Sequence, residues 1–453
     1  MARVDTLTNY LTDVASAIKT KKGDSTPILA SNFDTEIVNL PTGANLQSKS
    51  IEITTNTTTT INPDTGYDGM SSVSVVTNVS GGGTEVPEKD VNFYDYDGER
   101  LYSYTKEEFL LLESLPPTKA KTGMTVQEWN WTLENAKSYV SKYGGLIIGQ
   151  ICVTSDGKTR LYITLTKDVL NMSLTLNPSK GALTIDWGDG TTPTPVNFNY
   201  NAVTTEHSYS NEGDYVIEIT ANSGFTFSSG NSCSYLLRKN SSQKTALDIY
   251  RYLNCLTKVE VGANVDLGRY CFTYCINLKS INLTNYMVLD STMNKQQIFS
   301  NCYSLKCIII PKTQTYLMNQ YFSNCYNLEI VSIPNEVDNI YNGFYNAVEL
   351  KKIYLSENLA TLSSTFIGFT QVKRIKIPKS LDTIKTNVFE YSSNLYEIDF
   401  TDYDYVPTLS NVNAFNNIGD YKIIVPDNLY NSWIASSNWS SISSHIVRES
   451  DYY

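Results

Sequence analysis

The sequence predicts a multidomain, mainly β protein that ends in a long repeat solenoid. Three observations support this expectation. The chain has 453 residues, more than the roughly 100 to 200 that are usual for one domain. Apolar residues alternate with polar ones over many short segments, which is typical of strands. From about residue 250 onward, one apolar pattern returns every 22 to 27 residues, and such a fixed period indicates a solenoid.

Residues 1–42 are predicted to form a helical module. Leu7, Leu11, Val14 and Ile18 recur at three- and four-residue steps, the spacing of one helix face. A second short helix is expected to follow. Two short helices bury little surface by themselves, so we expect them to pack on copies of themselves or on a partner. A helical hairpin that docks on its own chain is the alternative.

Residues 45–80 are predicted to form a small β module. The segments SIEITTNTTTTI and SSVSVVTNV alternate in period two around a turn-rich segment. The three glycines at 81–83 then indicate a flexible joint.

Residues 88–170 are predicted to form an α+β domain. The dipeptides Asp97-Gly98 and Asp156-Gly157 each lie between two strand-like segments, so each is expected to turn a β-hairpin. Two helices are expected between the hairpins, the first after Thr105 and the second over about residues 133–143.

Two tryptophans, Trp129 and Trp131, lie just ahead of the second helix. Large aromatic side chains are mostly buried, so a place in the core is expected for both. Stacking on sugar rings is the alternative.

Residues 171–245 contain LTIDWGDGTT and, further on, EHSYSNEGDYVIEIT. The W-G-D-G element with a downstream H-x-Y and G-D-Y-V-I resembles a PKD domain, which implies a β-sandwich spacer of the immunoglobulin type. Asp186 and Asp189 offer oxygen ligands beside a glycine turn, so a calcium site is one interpretation. Closure of the turn by the two Asp side chains is the other, and no further ligand spacing supports a metal.

The predicted solenoid, residues 246–453, repeats an L-x-x-I-x-I pattern. Its first apolar anchors fall at positions 256, 278, 305, 328, 350, 372 and 395. This spacing puts the last two apolar residues of each copy on one face of a short strand, and we expect the strands to stack into a ladder. Six copies have a Phe three residues before the Cys position of the repeat: Phe272, Phe299, Phe322, Phe344, Phe366 and Phe389.

The full pattern, F-x-x-C-x-x-L-x-x-I-x-I-P, resembles the BspA-type leucine-rich repeats of bacterial and phage surface proteins. The resemblance covers about residues 250–426, and the segment that follows resembles the tail of such arrays. Trp433 and Trp439 in that tail are expected to cover the open end of the apolar core, because an uncapped solenoid end would aggregate.

The chain has eight Cys residues. No export signal is visible and the chain is large, so reduced thiols are expected, with disulfides as the alternative. Cys275, Cys302 and Cys325 occupy equivalent inward positions of the repeat and are expected to act as small core residues. Their spacings, together with only two histidines, His207 and His445, do not match a zinc site. We therefore predict no metal and no cofactor.

Composition and motifs exclude several classes of function. The net charge of -11 disfavours nucleic acid and other polyanions as partners. No apolar run is long enough for membrane insertion. None of the common catalytic motifs occurs, so we expect no enzymatic activity. A carbohydrate-active enzyme built on a pair of carboxylates is the alternative.

The front modules resemble those of tail fibres and other virion proteins of phages and prophages from Firmicutes. This implies a phage virion structural protein, a fibre or adhesin assembled in the bacterial host cytoplasm and displayed on the virion surface. Its N-terminal helices would bind virion proteins, and its solenoid would contact a glycan or protein of the host cell surface. A homo-oligomer is expected, and a trimer is one such arrangement. A bacterial BspA-type cell-surface adhesin is the alternative.

Tyr303 and Tyr326 are the nominated receptor-binding residues. They occupy the same repeat position, next to an inward Cys, and Tyr gives broad polar contacts at low entropic cost. Packing between neighbouring coils is the alternative for both.

Overall fold

The computed structural model describes residues 46–53, 69–77, 89–227, 236–239, 251–285, 297–317, 320–363, 366, 368 and 371–453, with the backbone alone for the first two stretches. The predicted helical module of residues 1–42 and the glycine joint lie outside the described residues. The chain forms two compact units, Met1–Glu85 and Val86–Tyr453. In the first unit, strands β1 (Leu46–Ile53) and β2 (Gly69–Thr77) pair in parallel.

A four-stranded sheet with the order β4-β3-β6-β5 opens the second unit. Its elements are β3 (Val91–Tyr94), β4 (Arg100–Tyr104), α1 (Lys106–Leu110), β5 (Met124–Trp129), α2 (Leu133–Tyr143) and β6 (Leu146–Thr154). The first predicted hairpin is confirmed, because β3 and β4 pair antiparallel. Both predicted helices are present, and Thr105 caps α1 through a capping box with Glu108. Trp129 and Trp131 are buried in the core of this α+β region, as expected.

The second predicted hairpin is wrong. β7 (Thr159–Leu165) does not pair with β6; it lies between β12 (Gly213–Ala221) and β15 (Leu256–Glu260) in another sheet. The turn itself forms, since the Gly157 N–H donates to the Thr154 carbonyl at 3.2 Å. The physical reason is that β6 has no free edge: β3 and β5 already occupy both of its sides. Although β7 falls within the range predicted for the α+β domain, residues 88–170, the structure places it in the next sheet.

Two larger sheets come next. The first has the strand order β10-β9-β12-β7-β15-β17. The second has the order β11-β8-β13-β16, and β14 also pairs with β8 in it. The remaining strands are β8 (Asn171–Asn177), β9 (Leu183–Asp186), β10 (Thr194–Val196), β11 (Val203–Ser208), β13 (Phe225–Phe227), β14 (Leu237–Lys239), β16 (Val265–Leu267) and β17 (Ser280–Ile281). β15 to β17 come from the first repeat copies, so both sheets run across the boundary predicted at residue 246. Apolar residues of both sheets and of the repeats form one continuous core.

Each later repeat copy contributes short strands that pair in parallel with those of adjacent copies. The first set of strands is β18 (Cys307–Ile309), β20 (Ile330–Ser332), β23 (Arg374–Lys376), β25 (Glu397–Asp399), β27 (Lys422–Val425) and β28 (Ile446–Arg448). Ile308 pairs with Val331, and Ile375 pairs with Ile398. The apolar positions of the L-x-x-I-x-I pattern are buried in these copies, as predicted.

A second set of strands was not predicted. It comprises β19 (Tyr316–Leu317), β21 (Asn339–Tyr341), β22 (Thr361–Ser363), β24 (Thr383–Ile384) and β26 (Thr408–Leu409). Leu317, Ile340 and Leu362 form a buried parallel column in it. Each strand is only two or three residues long, which is why the pattern is weak in the sequence.

The repeated phenylalanines stack on one another through the core. The ring planes of Phe272, Phe299, Phe322 and Phe344 are nearly parallel, with successive centroids 5.6, 5.5 and 5.4 Å apart. The stack begins against Phe227 of the preceding sheet, at 5.2 Å from Phe272. The same position is stacked again further along: Phe366, Phe389 and Phe415.

The Cys position beside the phenylalanines has a hydrogen-bonding role as well as a packing role. The Cys302 thiol donates to the carbonyl of Phe272 at 3.1 Å, and the Cys325 thiol donates to the carbonyl of Phe299 at 3.2 Å. Ser392 makes the same bond to Phe366 at 2.8 Å. The position therefore favours a small side chain that can donate one hydrogen bond to the copy before it.

The last copies are closed by an aromatic cap. Trp433 and Trp439 are fully buried, with ring centroids 5.4 and 5.8 Å from that of Phe400. They lie on α3 (Tyr430–Ala435) and on a 3-10 helix (Trp439–His445), and α4 (Glu449–Tyr452) ends the chain. Two further 3-10 helices are Val412–Phe415 and Asp427–Leu429. The predicted packing of the two tryptophans on the apolar core is confirmed.

The α+β region packs against the outward side of the first set of strands. Fully buried Asn130 links the two parts: its amide nitrogen donates to the Ile310 carbonyl at 2.8 Å and to the Ser332 hydroxyl at 2.9 Å. Its amide oxygen accepts from the Gly149 N–H at 2.8 Å. A Cβ at Gly149 would lie 2.1 Å from a methyl of Ile309, so only glycine permits this close approach.

We expect Asn130→Ala to lower the free energy of unfolding by at least about 2 kcal/mol, because several buried polar groups lose their partner at once. Urea unfolding of the full chain measures the effect. Asn197→Ala, at an exposed position, is the matched control and should change stability by less than about 0.5 kcal/mol. Equal effects of the two substitutions would refute a role for Asn130 in docking.

We expect Cys302→Ser to cost less than about 1 kcal/mol, because a hydroxyl keeps the donor that Ser392 supplies in the same position. Cys302→Val adds a methyl group and removes the donor, so it should cost about 2 kcal/mol or more beyond the serine variant. Thermal and urea unfolding compare the two. A serine variant that is no more stable than the valine variant contradicts the hydrogen-bonding role.

Candidate functional site

The outward side of the first set of strands changes character along the array. Cys307, Ile309 and Ile330 point outward in two early copies and are packed under the α+β region, in a cluster with Tyr94 and Ile147. In the later copies the corresponding positions are charged: Lys352, Arg374, Lys376, Glu397 and Asp399. The covered half of this side is therefore apolar and the other half is polar.

A groove of about 1000 Å³ lies where the covered half ends. One wall is the end of α2 with Lys142 and Tyr143, and the floor is formed by the irregular segment around Ile353 and by β23 around Ile375. Seven of its lining residues are Lys or Arg and two are acidic. Since the chain has 35 Lys and Arg against 46 Asp and Glu, this groove concentrates positive charge on an acidic protein.

Three of the basic side chains in the groove form ion pairs. Lys142 Nζ lies 2.9 Å from Glu357, Arg374 Nε lies 3.0 Å from Glu397, and Lys376 Nζ lies 3.0 Å from Asp402. Two others, Lys351 and Lys373, are exposed and form no ion pair with any described residue.

Two ammonium groups lie over the ring of Tyr143. Lys142 Nζ is 5.0 Å and Lys376 Nζ is 5.7 Å from its ring centroid. Burial, aided by the charges of Glu357 and Asp402, raises the pKa of Tyr143 well above its usual range, so the hydroxyl keeps its proton. This hydroxyl is buried and has no hydrogen-bond partner among the residues that the structure describes.

The sequence reasoning missed this basic groove. A signal was present: Lys351-Lys352 and Lys373-Arg374 stand 22 residues apart, at the same position of adjacent copies. A pair of basic residues that recurs with the repeat period forms a patch, because equivalent positions lie side by side in a parallel ladder.

The nominated receptor-binding residues, Tyr303 and Tyr326, lie side by side with ring centroids 4.9 Å apart. Tyr326 is 37% exposed and Tyr303 is half-buried. Tyr345 and Tyr391 lie in later copies, one and two residues after the repeated Phe, and are 39% and 56% exposed. We call these four residues the tyrosine ridge. The contact between the first two fits packing between coils, and the exposure of the others leaves aromatic surface for a partner.

The carboxylates considered for calcium close turns. Asp186 accepts from the Gly188 N–H at 2.9 Å. Asp189 accepts from the Thr191 N–H at 3.1 Å and lies 2.8 Å from His207 Nε2. Both carboxylate oxygens of Asp189 and one of Asp186 are therefore engaged in hydrogen bonds.

One group of three acidic residues within the described ranges has the spacing of a metal site: Asp95, Asp97 and Glu99. Lys121 lies among them, with its ammonium 2.6 Å from both Asp95 and Asp97. A cation of the chain itself thus lies within this group and offsets one of its three negative charges.

Seven cysteines are described, and all are free and buried, so reduced thiols are confirmed for these seven; Cys233 lies outside the described residues. Burial raises the pKa of Cys325 to about 12, so its thiol keeps its proton at neutral pH. The helices within the described ranges are all too short or too polar to cross a membrane.

Comparison with known families identifies the repeats. Residues 244–364 and 292–420 match the BspA type leucine rich repeat region, with six copies. The C-terminal array therefore consists of BspA-type leucine-rich repeats. No curated protein matches the chain.

Three solved structures are similar to part of the chain. A leucine-rich repeat protein from Bacteroides ovatus is 22% identical over 38% of this chain and 54% of that one, with a TM-score of 0.29. A leucine rich cell surface protein from Faecalibacterium prausnitzii is 18% identical over 35% and 50%, with a TM-score of 0.22. The T. pallidum leucine-rich repeat protein is 18% identical over 46% and 85%, with a TM-score of 0.21. The chain spans about half the length of the first two.

We expect Asp189→Asn to lower the free energy of unfolding at pH 7, with a difference from the parent chain that shrinks as the pH falls. Burial raises the pKa of Asp189, but hydrogen bonds from Thr191 and His207 outweigh this and hold it below the usual value. A depressed folded pKa stabilises the protein fully above the unfolded value of about 3.9, and this stabilisation is lost as the pH falls from there through the folded pKa. Urea unfolding at about pH 7, 4 and 3 measures the difference; a difference that stays constant down to the lowest pH would contradict this prediction.

Proposed function

We propose that the chain is a non-enzymatic, adhesion-like surface protein that contacts a cell surface through its BspA-type repeats. The observation that carries the proposal is the tyrosine ridge on those repeats. Tyrosine is enriched in binding surfaces because its large, rigid ring gives contact area at low entropic cost. The exposed rings at Tyr326, Tyr345 and Tyr391 offer such a surface on neighbouring and distant copies.

The leading form of the proposal is a phage virion fibre, mounted on virion proteins by its N-terminal helices and assembled as a homo-oligomer. The resemblance of the front modules to phage tail-fibre modules supports it. A bacterial BspA-type cell-surface adhesin is the alternative, and the repeats fit both equally. In either form the repeats would build a solenoid and residues 171–245 a PKD-like spacer. The stacking of Trp187 on His207, with ring centroids 4.6 Å apart, supports a rigid sandwich there.

The covered strand face limits where such contact can occur. Because the α+β region packs on Ile309 and Ile330, a receptor cannot reach that half of the array without displacing it. The tyrosine ridge and the later copies remain accessible, so we expect the receptor to meet these.

We expect Tyr326→Ser/Tyr391→Ser to weaken saturable binding of the labelled full chain to intact candidate host cells by at least tenfold, since interface tyrosines are frequent hot spots. Tyr200→Ser/Tyr405→Ser removes two exposed tyrosines elsewhere and should leave binding within twofold. Equal losses for both pairs, or no saturable binding by the parent chain, would contradict the proposal.

Antibody labelling separates the two forms of the proposal. Gold-labelled antibody on purified phage particles, viewed by electron microscopy, supports a virion fibre. Label confined to the bacterial cell surface supports the adhesin instead. Release of reducing sugar from host polysaccharide by the full chain would refute the non-enzymatic function.

A further inference from the structure

We propose that the basic groove between α2 and the later repeats binds an acidic polysaccharide, one whose sugar units carry carboxylate or phosphodiester groups. This inference rests on the proposed surface-binding function and names the class of ligand. It also revises the expectation from net charge that polyanions are poor partners, because a local field can differ in sign from the whole protein.

Charge is the first argument. Seven basic side chains line the groove against two acidic ones, and Lys351 and Lys373 form no ion pair with any described residue. These two lysines occupy equivalent positions in adjacent copies, and like charges on neighbouring side chains repel each other. An anionic ligand would relieve this repulsion.

The polar atoms of the groove are the second argument. The Tyr143 hydroxyl is buried and has no hydrogen-bond partner among the described residues, and a buried donor without a partner destabilises the protein. The hydroxyl can donate one hydrogen bond, so a ligand oxygen that reached it would satisfy this donor.

The acidic lining favours a glycan over a nucleic acid. Glu397 and Asp399 lie among the basic groups, and a carboxylate can accept hydrogen bonds from sugar hydroxyls. DNA offers few hydroxyl donors. The Tyr143 and Tyr396 rings also have cations over them, with the Arg374 guanidinium 5.5 Å from the Tyr396 centroid, so these rings are less available for base stacking.

The test compares binding of the full chain to four immobilised polymers at moderate salt. The probes are polygalacturonate as the carboxylate polymer, a glycerol-phosphate polymer, neutral dextran and poly-dT. We expect one or both of the first two to bind, with affinity that falls as salt rises. Binding to poly-dT of equal strength would overturn the proposal in favour of nonspecific polyanion binding, and equal binding to dextran would overturn it by removing the role of charge.

Charge reversal locates the site. Lys351→Glu/Lys373→Glu should weaken polymer binding at least tenfold. Lys167→Glu/Lys385→Glu makes the same change in net charge at exposed lysines outside the groove and should leave binding within twofold. Equal losses for both variants, or no binding of either acidic polymer by the parent chain, would overturn the proposal. Tyr143→Phe, which keeps the ring and removes the hydroxyl, should weaken binding without lowering the melting temperature.

Cell binding keeps this inference distinct from the proposed function. If the groove variant loses the polymer but retains saturable binding to cells, the groove inference stands and a separate contact, such as the tyrosine ridge, carries cell attachment. If the parent chain binds cells but neither acidic polymer, the groove inference fails and the proposed function survives. If the parent chain binds an acidic polymer but no cells, the proposed function fails and the groove inference stands.

Discussion

The stack of phenylalanines through the repeats is the interaction on which the rest of the structure depends. Strands of two or three residues cannot hold together by backbone hydrogen bonds alone. The rings of Phe272, Phe299, Phe322 and Phe344 repeat at about 5.5 Å and set the rise from copy to copy. Because the side chains of Cys302, Cys325 and Ser392 each bond to the carbonyl of the Phe in the copy before, ring stacking and backbone register are coupled in these copies. The array can be regular although its strands are short.

The regular array then serves as a platform for a second structural part. The α+β region lies on the early copies because Gly149 allows its backbone to approach Ile309 and because Asn130 satisfies polar groups on both sides. This cover divides the strand face into a buried apolar half and an open charged half. The basic groove exists only because the cover ends there: α2 supplies one wall and the repeats supply the other. The interface between the α+β region and the repeats therefore joins the two parts of the fold and also forms the edge of the proposed binding groove.

The parts of the fold that depend on local patterning could be predicted from the sequence. The inward leucines and isoleucines, the phenylalanine period, the capping tryptophans and the first hairpin all follow from spacing. The second hairpin could not, because Asp156-Gly157 has the same turn chemistry whichever sheet the next strand joins. That choice depended on β6 having both edges occupied by β3 and β5, a tertiary fact that no local window contains. The second set of strands was also not predicted, because strands of two or three residues give only a weak pattern in the sequence.

The candidate site was harder to predict, because it combines residues far apart in sequence. The negative net charge of the whole chain predicted that anionic ligands would not bind. A sum over 453 residues does not show that seven basic groups lie together in one groove. The residues at the outward positions of the repeat could have indicated this groove. Apolar residues there, such as Ile309 and Ile330, indicate a covered strand, and basic residues such as Lys373 and Arg374 indicate an open one. In a repeat protein the inward positions specify the fold, whereas the outward positions show which copies are covered and which remain free to bind.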